Sequence, residues 1–277
     1  MTAPLAGLKV VELARVLAGP WAGQTLSDLG CEVIKVESPA GDDTRQWGPP
    51  FVTRDEDVSA SYFHSTNRGK ASVTNDFRTD EGQAQLKELL ADADILIENF
   101  KTGGLAKYGL DYASLAPQFP KLIYCSITGF GQTGPYADRP GHDLNYLGYA
   151  GVLDQTGLPG KRPAMSNVQI ADLAGGAQNC AIGILAAVMG ARQSGEGCWV
   201  DVAMLDGALA LQSMALATHH QHGNSQPRGK DMLTGALANY NVYRCRDGKY
   251  PAVGSLEPTF RLAFPKEHTP GRPGEKK

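Results

Sequence analysis

Short apolar runs rich in β-branched residues alternate with amphipathic stretches along the first two hundred residues. The apolar runs predict strands over Leu8–Leu13, Glu32–Glu37, Lys70–Asn75, Asp94–Asn99, Lys121–Thr128 and Trp199–Met204. The amphipathic stretches predict helices over Trp21–Leu29 (introduced by Gly19-Pro20), from a cap at Thr79 or Asp80 to about Ala91, and over Leu205–His219. Strands separated by helices are typical of a mainly parallel α/β sheet with right-handed crossovers.

The segment Leu173–Ala191 carries no charge and is long enough to span a bilayer. It also contains Gln178, Asn179 and four glycines, which favour a helix buried in a protein and packed closely through its small residues. We therefore predict a soluble protein in which Asp172 opens a long uncharged helix.

The later chain differs in character, and this indicates several domains. Asn239–Arg244 and Lys249–Val253 predict a hairpin turning through Arg246-Asp247-Gly248. We expect a large α/β domain over 1–200, a connecting helix and linker over 201–230, and the start of a small domain over 231–260. The charged, proline-containing segment 261–277 predicts a disordered tail unlike the rest of the protein.

Composition narrows the functional classes. A net charge of −3 gives no electrostatic footprint for nucleic acid or for an anionic membrane. Five cysteines without a CxxC pair predict free thiols in a reducing compartment. The first strand begins so early that no signal or transit peptide is expected. These features predict a cytoplasmic protein with neither a nucleic-acid nor a membrane partner.

Nucleotide-binding fingerprints are missing from the first βα turn. Residues 18–23 read Ala-Gly-Pro-Trp-Ala-Gly, which is not GxGxxG, and the chain has no P-loop. An NAD enzyme or an NTPase is therefore disfavoured. In an open α/β sheet, a ligand is still expected outside the carboxyl ends of the strands.

Several long segments together resemble the family III CoA-transferase superfamily, and within it the α-methylacyl-CoA racemases. They are residues 8–37, 67–78, 93–110, 127–151 (containing GHDLNY), 170–189 and 235–260. The resemblance covers the chain nearly continuously to about Phe260, where it is expected to end. It implies a Rossmann-like large domain, a small domain that is partial in this chain, and an interlocked homodimer.

The resemblance also implies three catalytic residues. Asp172 matches the aspartate shared across the superfamily, which is the covalent nucleophile of the transferases. In the racemases this aspartate is paired with a histidine in GHD-x-NY, matched by His142, and a glutamate matched by Glu257 supports the histidine. Transferases commonly have another residue in place of the histidine, and some have a glycine-rich loop near the substrate. Here His142 is present and Gly254 is the only glycine in 253–260, so the resemblance favours a racemase.

The chemistry fits that preference. A neutral imidazole oriented by Glu257 can take a proton from the α-carbon of a 2-methylacyl-CoA thioester, and Asp172 can act on the opposite face. No cofactor is expected, since CoA is part of the substrate. Two alternatives stay open: a transferase that moves CoA between carboxylic acids through Asp172, and an inactive CoA-binding homologue. Taken singly, Asp172 fits a helix cap, His142 a loop histidine and Glu257 a surface charge.

Residues that follow predicted strands match family positions that hold CoA. Arginine and lysine there suit its phosphates. The predicted CoA contacts are Asn75, Asp76, Phe77, Arg78, Asn99, Phe100, Lys101 and Lys107, with Gly141, Asp143, Asn145 and Tyr146 bordering the thioester. A metal site at His219, His220 and His222 is rejected, because neighbouring helical positions do not converge on one ion.

Overall fold

The computed structural model describes residues 3–54 and 57–260. The strands are β1 Lys9–Glu12, β2 Glu32–Glu37, β3 Phe51–Arg54, β4 Asp57–Ala60, β5 Ala71–Thr74, β6 Ile95–Glu98, β7 Ile123–Thr128, β8 Trp199–Ala203, β9 Tyr240–Val242 and β10 Ala252–Gly254. The α-helices are α1 Ala18–Asp28, α2 Ser61–Thr66, α3 Asp80–Ala91, α4 Tyr112–Leu115, α5 Asp143–Ala150, α6 Val152–Gln155, α7 Asn179–Ser194, α8 Met204–Ala210 and α9 Ser213–His222. Short 3₁₀ helices span Asp43–Gln46 and Ala106–Tyr108, and π-helices span Ala171–Gln178 and Met232–Ala236.

Six parallel strands form the central sheet in the order β5-β2-β1-β6-β7-β8. They are the six strands that the apolar runs predict, so the mixed α/β fold with a parallel sheet is confirmed. Alternate residues of the central strands face opposite layers. Val10 and Ile97 pack with Leu26 of α1 on one face, while Val11 and Leu96 pack with Leu86 of α3 on the other, so both faces are covered.

The strand order reverses between β1 and β6. From β1 the chain builds outward through β2 to β5, and it then returns to add β6, β7 and β8 on the other side. Crossovers leave in opposite directions at such a point, which opens a crevice at the carboxyl ends of the two strands. Any ligand site is expected there.

Helix α1 begins at Ala18, earlier than the start predicted at Trp21. Gly19 and Pro20 therefore lie inside its first turn. Proline is tolerated there because the first N–H groups of a helix have no intrahelical acceptor. The predicted helix Leu205–His219 is likewise wrong as a single element, because α8 ends at Ala210 and α9 begins at Ser213.

The long helix that contains Asp172 differs from its prediction in where it begins and in the geometry of its first turns. It starts as the π-helix Ala171–Gln178 and continues as α7, so Asp172 is its second residue. Gly175 brings it against α8, where a side chain at that glycine would meet the carbonyl oxygen of Met204 at 2.7 Å. π-Helical turns within helices are frequent at functional sites.

By length and hydropathy alone the combined helix Ala171–Ser194 could cross a membrane. However, Cys180, Ile184 and Val188 belong to the hydrophobic core beneath the sheet. That packing fits the prediction of a buried helix in a soluble protein, which stays a prediction.

The described chain divides into two compact units. The first comprises the residues up to Val152 with Ser166–Gln212, and the second comprises Leu153–Met165 with the residues from Ser213 onward. In the second unit β9 and β10 pair antiparallel, which confirms the predicted hairpin. The proposed domain boundaries stay predictions, and the predicted tail 261–277 lies outside the described residues.

Candidate active site

A cavity of about 470 Å³ lies in the first unit at the carboxyl ends of β1, β6 and β7. Its size suits a small-molecule site. It is lined by Arg15–Ala18 after β1, Asn99–Thr102 after β6, Ile127–Gly129 at the end of β7, Ala137–His142, Tyr146, Asp172 and Met204. This is the crevice that the reversal of strand order predicts.

Asp172 is the partly buried acid of this cavity. Burial, followed by the negative charge of Asp143, raises its pKa from the ordinary 3.8 to about 7. Near neutral pH the side chain is therefore present both as the acid and as the carboxylate. It can donate a proton in the first form and attack a carbonyl carbon in the second.

Asp143 caps the π-helix that carries Asp172. Its Oδ1 accepts hydrogen bonds from the backbone N–H groups of Ala171 (2.7 Å) and Asp172 (3.1 Å). The first N–H groups of a helix need such acceptors, and a negative charge there is favourable. Burial raises the pKa of Asp143, and these two hydrogen bonds oppose that rise. The carboxylate is engaged by the backbone beside Asp172, and the CoA contact predicted for Asp143 stays a prediction.

His142 lines the same cavity as Asp172, as the predicted pairing requires. It is the residue before α5, and its backbone N–H donates to Asn145 Oδ1 at 3.0 Å. Within the segment that contains GHDLNY, helix α5 begins at Asp143, directly after His142. The helix fixes the backbone that presents the imidazole.

Tyr146 holds the backbone just before His142 in place. The buried phenol donates a 2.5 Å hydrogen bond to the carbonyl of Gly141. Burial and the nearby carboxylates of Asp172 and Asp143 raise its pKa to about 12, so it stays a neutral donor. A side chain at Gly141 would meet this ring, which explains the glycine.

Asn99 joins the two strand ends at the switch point. Its Oδ1 accepts from the backbone N–H of Arg15 at 2.8 Å, and its Nδ2 donates to the carbonyl of Arg15 at 2.7 Å. The predicted CoA contact at Asn99 thus lines the cavity and also orders the loop after β1. Phe100 lies under the guanidinium of Arg15, 5.6 Å from ring centre to Cζ.

Two cavity-lining residues after β1, Arg15 and Val16, were not predicted from the sequence. Arg15 is a charge three residues beyond the end of β1, and this position near a strand end is a signal that could have marked it. Val16 has φ of +71°, a left-handed conformation that strains a β-branched residue. Strain of this kind clusters at ligand sites, and Val16 lines the cavity.

Cationic side chains dominate the charged part of the wall. Arg15, Lys101 and Arg139 line it, against the carboxylates of Asp138 and Asp172. Lys101 lies 3.7 Å from Asp138, and both are exposed, so that ion pair is weak and leaves the lysine available. The wall suits an anionic ligand.

The other predicted CoA contacts lie off this wall. Phe77 packs edge-on against Phe100 and against Tyr108, and Lys107 lies over the ring of Tyr108. Asp76 holds the guanidinium of Arg78 through hydrogen bonds of 2.7 and 2.8 Å.

Asn75 is buried, and its amide donates to the carbonyl of Gly82 in the first turn of α3 at 3.0 Å. Asn75 therefore orders that turn, and the CoA contacts expected of residues 75–78 and of Lys107 stay predictions. Glu257 is exposed in the second unit, which is described by itself. Its support of His142 likewise stays a prediction.

Comparison with known proteins identifies the family. The model of CoA-transferase family III matches residues 5–269, past Phe260, where the resemblance was expected to end. A succinate–glutarate CoA-transferase from Agrobacterium fabrum is 51% identical over 87% of this chain and 60% of its own length. The human α-methylacyl-CoA racemase is 36% identical over 92% of this chain and 62% of its own.

Solved structures agree. The crystal structure of a CaiB/BaiF family protein from Brucella suis is 49% identical, with a TM-score of 0.85 over 90% of this chain and 65% of that one. This chain therefore spans less than two thirds of the length of each of these relatives. The family match and the fold together show that the chain belongs to CoA-transferase family III.

Proposed function

We propose that this chain is part of a CoA-transferase that moves CoA between carboxylic acids, with Asp172 as the nucleophile. The 51% identity to a succinate–glutarate CoA-transferase carries the proposal, against 36% to a racemase. These identities support the transferase alternative better than the racemase that the sequence analysis preferred. By the same relationship, we propose short dicarboxylic acids as the exchanging acids.

The proposed reaction begins with the ionised form of Asp172. Its carboxylate oxygen attacks the thioester carbonyl and the C–S bond breaks. CoA leaves as a thiolate, and the acyl group stays on Asp172 as a mixed anhydride. The thiolate then attacks the aspartyl carbonyl, which releases the first acid and forms an aspartyl–CoA thioester. The second acid repeats these two steps in reverse order, which restores the carboxylate and yields the new acyl-CoA.

Cavity charges support this sequence. Arg15, Lys101 and Arg139 can pair with the phosphates of CoA and with the distal carboxylate of a dicarboxylic acid. The anhydride steps need water to be kept away from Asp172, and the partly buried position of its carboxyl group favours that.

The racemase is the second candidate, and His142 is the observation that favours it. The imidazole lines the same cavity as Asp172, so the two groups could flank one substrate carbon. In a transferase, His142 would instead donate hydrogen bonds to the acyl carbonyl or the departing acid.

Two incubations in deuterated water separate the two functions, one with succinyl-CoA and glutarate and one with a 2-methylacyl-CoA and a free carboxylic acid. The transferase proposal expects glutaryl-CoA to form without deuterium at the α-carbon. Deuterium incorporation into a 2-methylacyl-CoA, with no CoA exchange to a free acid, would reject the transferase in favour of the racemase. Binding of CoA with neither reaction would reject both.

A further inference from the structure

Four charged side chains are buried together behind the cavity wall. Glu12, Lys35, Asp42 and Lys70 have side chains between 0% and 2% exposed. Lys35 Nζ lies 3.2 Å from Glu12 Oε1 and 2.9 Å from Asp42 Oδ2. Lys70 Nζ lies 2.8 Å from Glu12 Oε2. We call these four side chains the buried charge network.

Such a network is unfavourable to bury. Burial lowers the pKa of Lys70 to about 8 in spite of the charge on Glu12. Burial also lowers the pKa of Lys35, but the negative charges of Glu12 and Asp42 have the larger effect, so the pKa of Lys35 is raised. Apolar residues of similar volume usually stabilise a core as well as buried ion pairs do, or better. A contribution to the stability of the fold therefore does not explain why these four positions carry charged side chains.

The network instead makes specific bonds to the loop after β1 and to the first turn of α1. Lys35 Nζ donates to the carbonyl of Ala14 at 2.9 Å, and Lys70 Nζ donates to the carbonyl of Pro20 at 2.7 Å. Both carboxylate oxygens of Asp42 lie 3.4 Å from the backbone nitrogen of Val16. Ala14 and Pro20 flank the stretch Arg15–Ala18, which lines the cavity, and Val16 lies within it.

The loop needs such restraint because of its conformation. A β-branched residue in the left-handed region, as at Val16, persists only where its surroundings determine it. Charged side chains can supply strong hydrogen bonds to backbone atoms from a buried position.

We infer that Glu12, Lys35, Asp42 and Lys70 are positioning residues, which hold the strained loop Arg15–Ala18 in the conformation that binds the CoA substrate. The inference rests on the proposed function only for the identity of the ligand. The ordering of the loop is a property of the chain itself.

Two double variants test it: Lys35→Met with Asp42→Asn, and Glu12→Gln with Lys70→Met. Each removes one lysine hydrogen bond to the backbone that flanks Arg15–Ala18, and each leaves one positive and one negative charge of the network in place. Arg68→Met with Asp28→Asn is the control, because it deletes an ion pair of 2.5 Å that is not among the loop's contacts. Hydrogen exchange of residues 13–20, the affinity for free CoA, and kcat and KM with succinyl-CoA are measured in each.

Both double variants should stay folded, with amide exchange in residues 13–20 faster by about tenfold or more. CoA affinity should fall, and KM for succinyl-CoA should rise, by about tenfold, with a smaller change in kcat. The control should match the wild type. Unchanged exchange in residues 13–20, or loss of the whole fold in both variants, would overturn the inference. Failure of the wild type to bind CoA would instead refute the proposed function, and exchange would still decide the loop.

Discussion

The protonation of Asp172 determines what the site can do. Helix N-termini favour a carboxylate, but burial and Asp143 act the other way and raise the pKa to about 7. In the transfer mechanism, only the carboxylate attacks. Because kcat/KM reports the pKa of the free enzyme, its value should rise with pH through about 7 and level off above it.

The same shift predicts the behaviour of Asp172→Asn. Because the folded-state pKa exceeds the unfolded value near 3.8, stability is lost as pH rises from about 4 to about 7. The asparagine that replaces Asp172 cannot ionise, so the free energy of unfolding of the variant should exceed that of the wild type by about 1 kcal/mol at pH 8. The gain should vanish at pH 4, and kcat should fall on the order of a thousandfold. Chemical denaturation at both pH values measures this, and a less stable variant at pH 8 would contradict the account.

Asp143 can be tested by separating its charge from its hydrogen bonds. Asp143→Asn keeps an oxygen for the N–H groups of Ala171 and Asp172 but removes the charge. The pKa of Asp172 should fall, so the midpoint of the pH–rate profile should move to lower pH. Asp143→Ala removes the cap as well and should lower the free energy of unfolding by about 1 kcal/mol. Equal midpoints in wild type and Asp143→Asn would contradict this assignment.

At the scale of elements, the close contact between the π-helix and α8 depends on glycine. A side chain at Gly175 would meet the carbonyl of Met204 at 2.7 Å and the nitrogen of Ala208 at 2.9 Å. Gly175→Ala should therefore lower the free energy of unfolding by about 1–3 kcal/mol and reduce kcat by shifting Asp172. The matched control is Gly190→Ala, which has open space and should be neutral or slightly stabilising. Equal unfolding midpoints for the two variants would contradict the packing argument.

The elements divide into those that sequence patterns reveal and those that they do not. β6 and β7 could be predicted from their mainly apolar runs, because strands that are buried on both faces carry such runs. The π-turns at Asp172 could not be predicted, since residue spacing carries no distinct signal for them. The division of the predicted helix Leu205–His219 lacked a signal too, because neither Gly nor Pro occupies 211 or 212.

At the scale of the whole molecule, the order of strands explains why distant residues form one site. Arg15, Asn99, His142 and Asp172 line a single cavity because they follow strands or begin helices at the carboxyl edge of one sheet. The motif GHD-x-NY and the acid at Asp172 could be recognised from sequence. The buried charge network could not, because a single charged residue in a short strand, such as Glu12 or Lys35, is usually expected to face solvent. The homodimer stays a prediction.

The central claim is that Asp172 becomes covalently attached during CoA transfer, and an isotope measurement tests it most directly. The protein is incubated with succinyl-CoA and glutarate labelled with ¹⁸O in its carboxylates, and the peptide containing Asp172 is then weighed by mass spectrometry. Because the second acid contributes the bridging oxygen of the anhydride, the account predicts ¹⁸O in the Asp172 carboxylate after turnover. Formation of glutaryl-CoA with no ¹⁸O in that peptide would contradict it.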